Sequence, residues 1–472
     1  METLPTDIIL THSSQDAHSV ADKVEVEEVT TVGKRNVRRS CWDASIAERT
    51  FMQLFDICPV VSSRLPMELW ERIIDFMASR DEDSYNMQTL GQVCRGWSIR
   101  RRFHYDKRLK KRLVDRKQVY QLISALGEHP ERCRAIRAVW FDFGGRPIGP
   151  FGSFAVRMMQ KLPQVERLRL EECTWETGQL HTQVFLHVAL TFGSITLLTL
   201  YKVTFPSAVV FGRLVRALPR LSSLNCLQVQ LQKCCNVAGA VRVPGSLRLD
   251  AADLHRSDDV FDFFVLISVH LRHLTCYGGD LEKLQELLAV SAESLLTLEV
   301  SFIREVSVDL TPAVNLRVLV LNGGLEGITD AARILSRASL LKLVEVTIVS
   351  WPANPATFVS IQRKLNSIDS DSFADMDRIL SGKQFPALQR VTFSLCCSVL
   401  FSSEVMDVVS ERSWRTLLSS KLPALHTSDR LLSSVTLEVM QPGPHYPIPI
   451  HQNLLLPATY ALAPVPSLPR VP

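Results

Sequence analysis

Val165-Glu166-Arg167-Leu168-Arg169-Leu170 and, thirty residues on, Ile195-Thr196-Leu197-Leu198-Thr199-Leu200 share one pattern: apolar at the first, fourth and sixth positions, polar at the fifth. In an extended chain the fourth and sixth side chains point to one face and the fifth to the other, so the pattern suits a strand with one buried face. Further copies are Leu224-Leu227-Val229, Leu271-Leu274-Cys276, Leu295-Leu298-Val300, Leu316-Leu319-Leu321, Leu343-Val346-Ile348, Leu388-Val391-Phe393 and Leu432-Val435-Leu437, with a weaker one at Pro244-Leu247-Leu249. Successive starts lie roughly 20–30 residues apart through the first eight copies and about 45 apart for the last two.

That period is the one at which leucine-rich repeats build a strand and a returning helix per unit. The fifth position offers an independent check. It holds Arg169, Thr199, Gln228, Arg248, Thr275, Glu299, Val320, Thr347, Thr392 and Thr436, of which nine are polar. A Leu-rich chain that matched by chance would show no such bias. Leu281–Leu288 and Ala331–Leu335 carry helical periodicity between strands, as returning helices should. Regular repeats place Asn or Cys three residues after the last apolar position, and only Cys173 fits clearly, so the turns should close differently from unit to unit. The expectation is an irregular solenoid over 135–440. Its targets would bind at Arg169, Thr199, Gln228, Arg248, Thr275 and Glu299.

Upstream, Leu65-Pro66-Met67-Glu68-Leu69 opens a helix: Pro66 lacks an N–H and suits a first turn, and Glu68 and Glu71 suit its positive end. Leu69, Ile73, Ile74 and Met77 share one face, and Met87, Leu90, Cys94 and Trp97 recur at helical spacing after a candidate cap at Asn86. Gly91 weakens that second helix. Two such short helices cannot bury both stripes alone. The opening Leu-Pro-x-Glu-Leu, the Ile73-Ile74-Asp75-x-Met77 and the closing Val93-Cys94-Arg95-x-Trp97 resemble an F-box. Trp97–His104 and Asp115–Leu126 are similar to stretches that follow the F-box in fungal members of that group. The resemblance implies a helical region over 41–126, with its core at 64–98. That core would dock a Skp-family adaptor, and through it a cullin, by Leu65, Pro66, Leu69, Ile73, Ile74, Met77, Leu90, Val93, Cys94 and Trp97.

Composition bounds the rest. The 472 residues, 46% apolar, suffice for several domains with a large core. The net charge of +4 conceals a local cluster: 98–117 holds ten Lys/Arg against Asp106 and Asp115, leaving −4 for the remainder. This run reads as a connector whose aliphatic stems cover a domain join, and nucleic-acid binding is the less favoured use. Residues 1–40 are polar and read as disordered. Asp43–Ile57 reads as a helix beside the F-box. The tail 441–472 holds nine of the 24 prolines, which bars regular structure. Eleven cysteines without C-x-x-C spacing read as buried thiols. With no signal-peptide pattern and no apolar run of membrane length, the expectation is a cytoplasmic or nuclear protein.

No nucleophile elbow, phosphate-binding glycine loop or metal-ligand spacing occurs. The fold class expected is therefore α/β: a helical F-box, then an irregular leucine-rich-repeat-like solenoid with a curved parallel sheet. The function implied is non-catalytic and cofactor-free, namely target recognition within a Skp–cullin–F-box ubiquitin ligase. A scaffold or sensor acting outside proteolysis is the alternative, and a nucleic-acid-associated protein a weaker one.

Overall fold

The computed structural model describes residues 66–80, 96–98, 100, 107–113, 115–176, 182–232, 247, 249–278, 281–301, 308–351, 358–368, 370–399 and 409–439. The chain divides into two compact units, Met1–Ile73 and Ile74–Pro472. The segments read as disordered (1–40), helical (Asp43–Ile57) and Pro-rich (441–472) lie outside the described residues, as do Cys234 and Cys235. No described helix is long and apolar enough to cross a membrane.

The larger unit is a mixed α/β structure built on one large, curved, parallel sheet of a leucine-rich-repeat-like kind. Its strands run in chain order: β1 (Arg108–Arg112), β2 (Ala138–Pro147), β3 (Arg167–Thr174), β4 (Leu197–Phe205), β5 (Ser223–Leu227), β6 (Gln230–Leu231), β7 (Ala251–His255), β8 (His273–Tyr277), β9 (Thr297–Ser301), β10 (Val318–Gly324), β11 (Glu345–Trp351), β12 (Arg390–Val399) and β13 (Leu431–Val439). Each pairs with the next, except that the short β6 pairs with β4 and lets β5 pair with β7.

Parallel neighbours need a crossover, and helices supply it. These include α2 (Arg116–Glu128), α3 (Pro130–Ala135), α4 (Gly149–Arg157), α5 (Thr182–Phe192), α6 (Ala208–Arg216), α7 (Asp258–Leu266), α8 (Leu281–Val290) and α9 (Ile328–Arg337). Then come α10 (Phe358–Ser367), α11 (Ser370–Ser381), α12 (Glu411–Lys421) and α13 (Pro423–Thr427). The segment 67–80, upstream of them, is α1 (Met67–Arg80).

Helices cover one face of the sheet, so the strands alternate instead of reading as continuous apolar runs. Leu168, Leu170, Leu198, Leu200, Leu274, Leu298, Leu319 and Leu321 are buried in a single core that runs from Leu109 to Leu431. In its first half the core is aromatic. Phe141 meets Phe154 edge-on at 4.9 Å, Phe151 stacks on Phe192 at 5.6 Å, and Phe205, Phe211 and Phe263 continue the chain of rings. Such contacts add about 0.5–1.5 kcal/mol per pair beyond area burial.

The register expected for β3, β4, β8, β9, β10, β11 and β12 matches the observed pairing. Three expectations need correction. In β5 the triplet is Leu221-Leu224-Cys226, three residues earlier than expected, because Cys226 serves as a buried apolar residue. In β7 it is Leu249-Ala252-Leu254, where a small Ala at the middle position hid the pattern. In β13 Leu432 is exposed and the inward row is Leu431, Ser433 and Val435.

The start of the sheet is also corrected. It begins at Arg108, inside the basic connector, not near 135. β1 pairs with β2, whose Ile136-Val139-Phe141 is a further buried copy of the pattern. The sequence Arg-Leu-Lys-Lys-Arg looks unlike a strand because β1 ends the described sheet, where Lys and Arg discourage further edge pairing.

As expected, the turns do not all close alike: β3, β4, β5, β7 and β8 share one device, which β10, β11 and β12 lack at the matching position. Glu172 and Lys202 interrupt β3 and β4, and the matching Gln228, Arg256 and Gly278 directly follow β5, β7 and β8, all left-handed with φ between +47° and +61°. One left-handed residue in each of these units turns the chain off the strand, which is the work expected of an Asn ladder. Bonds between units lock these turns. Gln228 N–H donates to the His255 carbonyl (2.8 Å) and Arg256 N–H to that of Tyr277 (3.1 Å). Buried Ser257 accepts from Val229 N–H at 3.0 Å and donates to a backbone carbonyl.

Candidate functional site: the open face of the sheet

The face away from the helices presents three rows of side chains, because parallel pairing in register aligns every second residue. The middle row runs Lys110, Trp140, Arg169, Thr199, Asn225, Asp253, Thr275, Glu299, Val320, Thr347, Thr392, Leu432. Of the six expected target-binding residues, Arg169, Thr199, Thr275 and Glu299 stand in it. Gln228 does not: it is a left-handed turn residue, and Asn225 holds its place. Arg248 lies outside the described residues, and Asp253 occupies the position assigned to it.

The row has three chemical zones. At its start the Lys110 ammonium lies 3.4 Å from the centre of the Trp140 ring, and the Arg169 guanidinium packs at 4.3 Å from it. Arg169 also pairs with Glu171 (2.6 Å), which accepts from the Trp140 indole N–H. Burial pushes the Glu171 carboxyl up, and Arg169 pulls it back down. Arg112 lies 3.6 Å from Asp142. Lys110 and Arg112 of the basic run are thus held by ring and carboxylate partners on the same sheet.

The centre is acidic. Glu299 accepts from Tyr277 O–H, from Asn322 (2.8 Å) and weakly from Thr275 (3.5 Å). Asp253, two strands away, has a buried carboxylate oxygen with no hydrogen-bond partner. Burial, and secondarily Glu299, push its pKa up to about 7. Tyr277 is shifted up by burial and by Glu299. Neither Asp253 nor Glu299 has an ion pair to Lys or Arg among the described residues. Toward the end of the sheet the face turns apolar, with Val320, Val349 and Cys396 packed together beside Val318 and Trp351. No group of three or more His, Cys, Asp or Glu with metal-binding geometry occurs among the described residues.

Of the ten expected adaptor-docking residues, Pro66, Leu69 and Ile73 are exposed, Leu69 at 40% and Ile73 at 38%. Ile74 (1%) and Trp97 (7%) are buried. Leu65, Leu90, Val93 and Cys94 lie outside the described residues, as does the side chain of Met77. Pro66 opens α1 by accepting from the N–H groups of Leu69 and Trp70. Asp75 on α1 binds the guanidinium of Arg100 at 2.7 Å.

No protein-family model matches the sequence, and no curated protein matches it. Among solved structures, the leucine-rich repeat-containing protein LegL7 from Legionella pneumophila is similar over 76% of this chain and 88% of its own, at 14% identity and a TM-score of 0.33.

Proposed function

We propose that this chain is the target-recognition subunit of a Skp–cullin–F-box ubiquitin ligase, acting in the cytoplasm or nucleus without catalysing a reaction itself. It binds a Skp-family adaptor through 64–98 and a target protein through the open face of the sheet, so that a ubiquitin-loaded partner gains rate by proximity. The observation that carries this reading is the F-box pattern from Leu65 to Trp97. Exposure of Leu69 and Ile73, one turn apart on α1, supports it by offering a partner two aliphatic anchors. The half-buried polar rows of the sheet, aligned by in-register pairing, suit recognition of a second protein.

The test is co-purification of the Skp adaptor with the full chain and with Leu69→Glu/Ile73→Glu. Loss of two anchors that the adaptor would cover should weaken binding by about 2–4 kcal/mol. Equal recovery of adaptor with the variant overturns the reading. Target half-life with and without proteasome inhibition then separates proteolytic from scaffold use.

A further inference from the structure

The helical side of the larger unit carries a cleft of about 660 Å³ between α2, the start of α4 and α5, with Arg116, Tyr120, Pro150, Val156, Arg157 and Val184 in its lining. We propose that this cleft is a docking site for an acidic peptide segment of a partner protein, one that sets an aliphatic or aromatic side chain between two carboxylates. It shares no residue with either surface discussed above.

Three observations carry this. First, the cleft holds two cations from different helices, and neither Arg116 nor Arg157 has an ion pair among the described residues. No Asp or Glu stands in the lining to offset them. Second, the backbone adds to the positive field. At α2 the Asp115 carboxylate already caps the first turn, accepting from Gln118 N–H at 2.7 Å, so the contribution comes from α4. α4 begins at Gly149 with no side-chain cap, and the space around Gly149 is open. Helix N-termini favour anionic groups, by about 0.3–1 kcal/mol when exposed. Third, the floor is apolar and exposed: Tyr120 is 49% and Val156 41% accessible, and they line one cleft together instead of standing singly. Arg157 lies 5.8 Å from the centre of the Tyr120 ring, which holds its guanidinium over the cleft.

Charge selects the class of ligand. Two separated cations over an aliphatic bed match an acidic, apolar-anchored peptide better than a nucleic acid. A nucleic acid would call for a longer track of cations and several stacking rings, whereas the cleft has two arginines and the single ring of Tyr120.

The experiment is selection of displayed random 12-residue peptides on the full-length chain. Fluorescence anisotropy of the recovered peptides follows, against wild type, Arg116→Glu/Arg157→Glu and the milder Arg116→Gln/Arg157→Gln. Melting curves check that the variants fold, as exposed sites should. The expected result is a consensus of acidic residues flanking Leu, Ile or Phe. Affinity should fall at least tenfold on charge reversal and less on neutralisation, and should return to the Glu variant when the peptide's acids are replaced by Lys. Peptides without acidic preference, peptides indifferent to reversal, or failure to recover any binder would overturn the proposal. So would displacement by a 12-nucleotide single strand, or a self-association of the wild type that the Glu variant abolishes, since each names a different occupant.

Discussion

Asp253 shows what one residue does on the open face. Its neighbours in the row are Asn225 and Thr275, and one of its oxygens is buried without a donor. With its pKa near 7 in the fold and about 3.9 when unfolded, the folded chain binds more protons between those values. Stability should therefore fall as pH rises from about 4 to 7 and level off above that. Asp253→Asn removes the charge, so it should raise stability at pH 8 by roughly 1–3 kcal/mol and flatten this part of the pH profile. Urea midpoints at pH 5 and pH 8 check it. A variant less stable than wild type at pH 8 would mean that the charged form has a partner. Asp253 was not legible as a surface residue, because Ala251 and Ala252 give β7 no apolar signature, whereas Glu299 was, between Leu298 and Val300.

At the scale of an element, the left-handed residue shared by β3, β4, β5, β7 and β8 is the recurrent device. Gln228 is left-handed at φ +55°, at a cost of roughly 1–2 kcal/mol for a residue with a side chain, whereas Gly278 adopts the same conformation freely. Gln228→Gly should raise stability, measured by urea unfolding, by about 0.5–1 kcal/mol after the entropy cost of glycine. Gly278→Ala should lower it by about 1–2 kcal/mol. Opposite signs at equivalent positions are the signature, and equal signs would show that side-chain contacts decide these sites. No motif announced this column, since Glu, Lys, Gln, Arg and Gly share no chemistry. Its members are equivalent only through their matching place in the strand register.

For the whole molecule, the two faces of the sheet should respond differently to truncation. Thr199, Asn225 and Thr275 point outward, so changing them to Ala together should cost little, about 0.5 kcal/mol each. Arg169 is left out of that set because its removal strands buried Glu171. Leu170, Leu200 and Leu298 are fully buried, and each change to Ala should cost about 2–5 kcal/mol by opening a cavity. Thermal melts of the two sets check the assignment. Comparable losses would mean the open face is packed against something that matters to stability.

By itself the sequence determined the repeat: spaced Leu, Val and Ile demand one buried face every 20–30 residues, and most registers follow from that period. Local patterning sufficed there because strand alternation is a property of consecutive residues. Tertiary structure alone decided where the sheet begins, since β1 is a strand only through pairing with β2. It likewise decided that Cys226 and Ala252 are core, that Asp253 and Glu299 share one zone, and that Arg116 and Arg157 meet over one cleft. These are relations between residues distant in the chain. They depend on the stacking of units, which no local spacing encodes.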